Sequence, residues 1–491
     1  MLTKHSGAYQ AVYTNADRAE AAALCYAVQE CDARDDQSLF KSRVHYYTMS
    51  IPVILIFDVG KTNKKLLLFD RQYNVLHEES IQPDEITDED GFACENLAAL
   101  TQWIWQQYWK YFTSETYDVQ AVNFAAYGAS LVHINDFYKP LTPLYNYLKP
   151  YPEALKQQFY DTYGGEDLVA RETASPVLGS LNSGMQLYRL KYEQPHVYQQ
   201  TRYSLHLPQY LSFIISSRAA SDITSVGCHT HLWDFNIHKY HRWVYEEGMR
   251  TKFAPIYRGD NIVHAQNSTR KIAVGIGLHD SSAALIPYLD SVTTPFVLIS
   301  TGTWCISLNP FNDLPLTGEE LRQDCLCYLS YTGRPVKAAR VFAGYEHEQE
   351  VKRIAAHFNK ANNYFTTVAF DAAILNKLQP ANMLRGAAFS EKDLTQFATY
   401  EDAYHQLIAG IVAQQVHSAR LVLTDEVTTI FVDGGFGKNE VYMNMLAAAF
   451  PAVEVYAASV AQASALGAAL AIEQSWNSQA QHGNLIRLRR Y

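Results

Sequence analysis

The chain has 491 residues, 48% hydrophobic and 18% charged, which is enough length for two domains or one large one and enough apolar side chains for a sizeable core. With 40 Lys and Arg against 50 Asp and Glu, its net charge of -10 argues against a nonspecific grip on nucleic acid or on anionic membrane surfaces, so an anionic ligand has to be held locally. Its longest apolar runs, such as VILIF, fall far short of the ~20 residues a membrane helix needs.

Residues 1–48 are polar and mixed, with one helix-compatible run, ADRAEAAALCYAVQE, and Met49 stands just ahead of the first strong strand. Residues 1–49 are therefore expected to be an N-terminal extension, either a flexible appendage or a stretch preceding the natural start of translation. The start lacks a signal-peptide core. Cys25, Cys31, Cys94, Cys228, Cys305, Cys325 and Cys327 are odd in number and lack paired metal spacing, as expected of reduced thiols in a cytoplasmic protein. Cys325 and Cys327 read as residues on alternate faces of a strand or loop.

From Val53 the pattern changes. VILIF reads as a strand buried on both faces, GKTN as a turn and KLLLFD as the returning strand. A hairpin turn needs only its glycine, yet this one gathers more. Gly60 lets backbone N–H groups converge on an anion, Thr62 adds a hydroxyl and Lys65 a point charge, all beside the Asp58 carboxylate. An aspartate next to phosphate requires a bridging divalent cation, which points to Mg²⁺. The competing reading is a plain turn with Lys61, Lys64 and Lys65 solvated.

Farther on, VQAVNFAAYGASLVHIN gives two strand-like runs around Gly128, and residues 145–250 are mostly helical and rich in aromatics. GIGLHDSSAAL then ends a strand and enters a helix at about Ser281, placing His279 and Asp280 at the junction. Asp280 there is either a helix cap or a general base that takes a proton from a hydroxyl. A second hairpin follows, FVLIS, TGT and WCISLNP, whose turn offers hydroxyls and backbone donors but no acid. Two such hairpins in two halves of one chain suggest a duplicated architecture.

In VDGGFGKNEVYMNMLAAAF a strand, a glycine turn and a helix follow one another, an arrangement that accommodates part of a nucleotide or serves as an ordinary βα connection. AQASALGAALAIEQ is alanine-rich enough to pack closely on a sheet. Strands alternating with helices place the chain in the α/β class.

Taken in order, DVGKTNKK, GLHDSSAA, STGTW, VDGGFGKNE and SALGAAL make the chain resemble the FGGY carbohydrate kinases from Val53 to about Glu473. The resemblance implies two actin-like (ribonuclease H-like) ATPase domains flanking a cleft. The N-terminal domain, residues 50–288, would hold sugar, the first phosphate hairpin and the base. The C-terminal domain, residues 289–478, would hold ATP, and residues 479–491 would form a tail. Carried over, Asp58 lies near the metal, Thr62 and Lys65 near the transferred phosphoryl, Gly302 and Thr303 near the polyphosphate, and Gly435 and Asn439 near adenosine. Asp280 takes the place of the catalytic base and His279 that of a substrate contact.

The segment AAYGASLVHIN and the GxHD and SGTW-like turns are similar to the rhamnulokinase branch, with L-fuculose kinase close behind. That likeness puts Tyr127 and Gly128 in the sugar pocket, although Tyr127 also reads as a core aromatic. Ser130 stands where rhamnulokinases carry an acid, and Lys61 where many relatives have a second threonine. SDITSVGCHTHLWDF is similar to the family's helical lid, and its His229 and His231 read as polar helix or loop residues, not metal ligands. The implied reaction is phosphorylation of a ketose hydroxyl, of L-rhamnulose or L-fuculose, with ATP and Mg²⁺. Implied partners are thus a small sugar and ATP, with no nucleic acid and no membrane, and a homodimer is left open. Xylulose, ribulose or glycerol kinases of the same family are alternatives, and so is a non-catalytic actin-like nucleotide binder.

Overall fold

A computed structural model describes residues 50–265, 270–377, 389–480, 483 and 485–491; the extension expected over residues 1–49 lies outside the described residues. The first sheet contains β1 (Ile51–Val59), β2 (Lys64–Phe69), β3 (Val75–Ile81), β4 (Tyr117–Ala126), β5 (Ile262–His264), β6 (Ala273–Gly275) and β7 (Leu278–His279). Its strand order is β5-β6-β4-β1-β2-β3, with β7 also paired to β4. Helices α1 (Leu97–Phe112) and α2 (Leu207–Ser216) cover its outer face, and α3 (Asp280–Ser291) leaves β7 directly.

The second sheet follows. It contains β8 (Phe296–Thr301), β9 (Cys305–Asn309), β10 (Cys325–Leu329), β11 (Pro335–Val341), β12 (Thr429–Gly434), β13 (Glu454–Ser459) and β14 (Arg487–Arg490), in the order β10-β11-β9-β8-β12-β13-β14. With it come α4 (Ala343–His357), α5 (Tyr400–Val422), α6 (Glu440–Ala449) and α7 (Ala463–Ala471). The strand Arg487–Arg490 arises from the stretch read as a tail and pairs antiparallel with β13.

The two sheets share one plan. In the first, β3-β2-β1 is an antiparallel meander and β4 and β6 add parallel to it. In the second, β11-β9-β8 is the antiparallel part and β12 and β13 add in parallel. The duplication suggested by the two hairpins is therefore present at the level of topology, and the α/β class holds.

Strand alternation explains why both faces of β1 are apolar. Val53, Leu55 and Phe57 pack with α1, whereas Ile54 and Ile56 belong to a core that also contains α3, α7 and the inner face of the second sheet. The same parity runs through β8, where Val297 and Ile299 face α5 and α6, and Phe296 and Leu298 face the shared core. Cys325 and Cys327, expected on alternate faces, lie two apart on β10 and so share one face, both in the core beneath α5. The stretch SDITSVGCHTHLWDF, likened to a helical lid, has one short helix, Ile223–Val226, between the two-residue strands Ser221–Asp222 and Trp233–Asp234, with buried loop before the second strand.

Helices α3 and α7 cross in the shared core at Gly467. A Cβ there would lie 1.8 Å from the carbonyl oxygen of Ala283, and backbone of a packed helix cannot yield that much. Gly467→Ala is expected to destabilise the fold by about 1–3 kcal/mol or more, read from the urea midpoint; an unchanged midpoint would contradict this close crossing.

Candidate active site

Register brings the predicted residues together. Asp58 on β1 pairs with Ala125 on β4, and Ala125 with Leu278 on β7, all parallel. Asp58, the Tyr127-Gly128 turn and the His279-Asp280 junction therefore emerge side by side at the C-terminal ends of neighbouring strands. This is the edge where open α/β sheets bind ligands. On the second sheet Thr301 pairs with Gly434, so Gly302 and Gly435 leave their strands as neighbours in the same way.

Asp280 is the first residue of α3, and the N-cap position belongs to His279. Its Oδ1 accepts from the Ser281 N–H at 2.6 Å and from the Ser281 hydroxyl at 3.3 Å. Asp280 therefore does not cap the helix, and its Oδ2 has no hydrogen bond among the described residues. Protein surrounds the carboxyl on most sides, yet its side chain remains 32% exposed. Burial pushes its pKa up to about 6, with the Ser281 donors holding it back. Asp58 is also raised to about 6, first by burial, with the Ser464 hydroxyl opposing and the Asp280 charge adding.

His279 is buried, and burial pushes it down to about 4, so the ring is neutral at pH 7. Its backbone N–H donates to Thr224 Oγ1 at 2.9 Å, and its Nδ1 has no partner within the described residues. Gly128 makes room for this ring, since a Cβ there would lie 2.9 Å from its Nε2. Tyr127 is 7% exposed, with its hydroxyl 3.3 Å from Glu95 Oε2. Tyr147, which sequence reasoning passed over, packs on Tyr127, and burial, with the Asp280 charge adding, raises its phenol pKa.

The first hairpin divides its lysines by strand parity. Lys64 shares a face with Leu66 and Leu68 and is buried, its ammonium 3.0 Å from Glu95 and donating to the Lys61 carbonyl at 2.8 Å. Lys65, on the opposite face, donates to Gln462 Oε1 at 2.9 Å and lies 3.4 Å from Glu78. Lys61 pairs with exposed Glu85 at 3.0 Å, and Thr62 is exposed at the turn.

Across the second sheet a cavity of about 580 Å³ is lined by Gly302, Gly435 and Asn439 together with His347, Phe365 and Lys438. Asn439 caps α6 through the Tyr442 N–H at 3.1 Å and donates to the Tyr404 hydroxyl at 2.7 Å. Both bonds help shape the cavity wall and leave a second amide N–H for a ligand. Thr303 is exposed, and its carbonyl accepts from the Tyr345 N–H at 3.2 Å. The His347 and Phe365 wall carries no local sequence signal; α4 and the turn after it bring it in by packing.

Residues 53–286 match the N-terminal domain of the FGGY family of carbohydrate kinases, and residues 293–481 match the C-terminal domain of carbohydrate kinase FGGY. A comparison with curated proteins finds no significant match. Among solved structures, a carbohydrate kinase from Novosphingobium aromaticivorans superposes with a TM-score of 0.72 at 22% identity, over 89% of this chain and 95% of the other. A ligand-bound xylulose kinase from Lactobacillus acidophilus gives 0.72 at 16% identity, over 90% and 94%. Plasmodium falciparum glycerol kinase with ADP gives 0.66 at 15% identity, over 89% and 94%. At these identities the likeness speaks for the fold.

Proposed function

The chain belongs to the FGGY family of carbohydrate kinases, and from that premise we propose that it transfers the γ-phosphoryl of ATP to a primary hydroxyl of a ketose, L-rhamnulose or L-fuculose. The observation that carries the reading is Asp280: a carboxylate at the strand edge, not consumed by capping its helix, with one oxygen open. In this role it takes the proton of the attacking hydroxyl. His279, Tyr127 and Gly128 hold the sugar, and Gly302, Thr303, Gly435 and Asn439 receive the nucleotide. Thr62 and Lys65 serve the transferred phosphoryl group.

Asp58 fits Mg²⁺ as a donor, because the pKa of its carboxylate is raised by burial and by the neighbouring Asp280 charge, and a hard cation there offsets that crowded negative charge. When bound, the ion supplies neutralisation of phosphate charge. The xylulose and glycerol kinases of like fold make those substrates the natural controls. ADP release should be measured on L-rhamnulose, L-fuculose, L-ribulose, D-xylulose and glycerol. Preference for a deoxyketose supports the reading. Preference for D-xylulose or glycerol overturns the sugar assignment, and ATP use indifferent to every sugar overturns the acceptor role.

The pH dependence has a definite sign. Asp280 acts only when ionised, and its pKa is raised, so kcat/KM for Mg-ATP, which reports the enzyme before the metal-nucleotide binds, falls as pH drops through about 6. Because Asp280 adds to the raising of Asp58, the measured midpoint belongs to the pair. A limb centred near about 4, the ordinary carboxylate value, would contradict a desolvated base.

A further inference from the structure

Helix α7 follows β13 of the nucleotide-side sheet, yet its first turn reaches the hairpin of the other sheet. Ser464 donates its hydroxyl to Asp58 Oδ2 at 2.6 Å. Gln462, just ahead of the helix, accepts from Lys65 at 2.9 Å and donates to Glu78 at 2.9 and 3.0 Å. Asp58 and Lys65 are direct cross-strand partners in β1–β2, so both contacts land on a single rung of the ladder. Gln462 holds a left-handed φ of 55°, a conformation uncommon for a residue other than glycine, and it begins the turn that directs these side chains across.

The same helix touches the second carboxylate indirectly. One turn beyond Ser464, Gly467 lies against Ala283 of α3, the helix that begins with Asp280. Strand register places Asp58 and Asp280 near each other, and α7 touches both elements, Asp58 through Ser464 and α3 through Gly467. Ser464 is the single polar residue in α7, whose sequence is ASALGAALA. Alanine there would be the better helix former, so helix propensity does not account for the serine. Among the described residues it is also the only side chain hydrogen-bonded to Asp58. Without it, no other side chain among the described residues hydrogen-bonds that carboxylate, and only the Lys65 charge acts on it favourably.

We infer that Ser464 is a positioning residue for Asp58, holding from the nucleotide-side lobe the carboxylate that serves the metal-nucleotide on the sugar-side lobe. The inference rests on the proposed role of Asp58. Alignment of this carboxylate is thereby tied to the crossing of α3 and α7, so the two lobes share one acid.

The test is Mn²⁺ affinity of the full chain in the presence of ADP, followed by the EPR signal of free Mn²⁺, alongside kcat and sugar KM. Ser464→Ala is expected to weaken Mn²⁺ binding and lower kcat by about 10–100-fold, the range seen when groups supporting a metal ligand are removed. Sugar KM and the thermal midpoint should stay near wild type. Ser464→Thr keeps the hydroxyl and should restore both, whereas its near-isostere Ser464→Val should not. Wild-type Mn²⁺ affinity and kcat in the Ala and Val variants would overturn the inference. Asp58→Asn separates the two claims: if it weakens Mn²⁺ binding while Ser464→Ala does not, only the role of Ser464 fails. If Asp58→Asn binds Mn²⁺ normally, the assignment of Asp58 fails and takes this inference with it.

Discussion

Asp280→Asn is expected to lower kcat by about 10²–10⁴-fold, the usual worth of a positioned general base, with ADP affinity unchanged. The amide is isosteric and can still accept from the Ser281 N–H, which now reaches Oδ1 at 2.6 Å, so α3 should start where it does at present. What it cannot do is take a proton. The nucleotide cavity is built from Gly302, Gly435, Asn439, His347, Phe365 and Lys438 on the other sheet and does not include Asp280, so binding there should survive. Isothermal titration with ADP and a steady-state assay on the same preparation check both halves. Turnover within a few-fold of wild type would remove Asp280 from the chemistry; a parallel loss of ADP binding would make it a structural residue.

The largest stability effect is expected at the Lys64–Glu95 pair. Both side chains are 3% exposed and 3.0 Å apart, and Tyr127 adds its hydroxyl to the same carboxylate. Lys64→Met leaves Glu95 charged and unpaired in the core, which costs about 3–5 kcal/mol. Lys64→Met with Glu95→Gln removes the stranded charge and should recover much of the loss. Urea unfolding of the two variants measures it. A loss below about 1 kcal/mol in the single variant, typical of an exposed pair, would mean that the ammonium is solvated after all.

That pair marks where sequence reading stopped short. The β1–β2 and β8–β9 hairpins, the strand before Asp280 and the strand-turn-helix at Gly434 were all legible, because apolar runs closed by glycine turns are local signals. Lys64 was also readable in principle: it lies two and four residues from Leu66 and Leu68, so strand parity alone puts it on the buried face. Whether Asp280 caps its helix was not readable, since it turns on whether His279 or Asp280 occupies the N-cap. The contacts of Ser464 and Gln462 with a hairpin some 400 positions earlier, and the pocket wall from His347 and Phe365, arise from how helices cross sheets. No spacing within either segment announces them.

The account turns most directly on a crystal structure of the protein with ADP and the preferred ketose. It predicts ADP in the cavity beside Gly435 and Asn439, and the accepting sugar hydroxyl within about 2.6–3.2 Å of an Asp280 carboxylate oxygen. A sugar seated elsewhere, with Asp280 facing only solvent or protein, would contradict it.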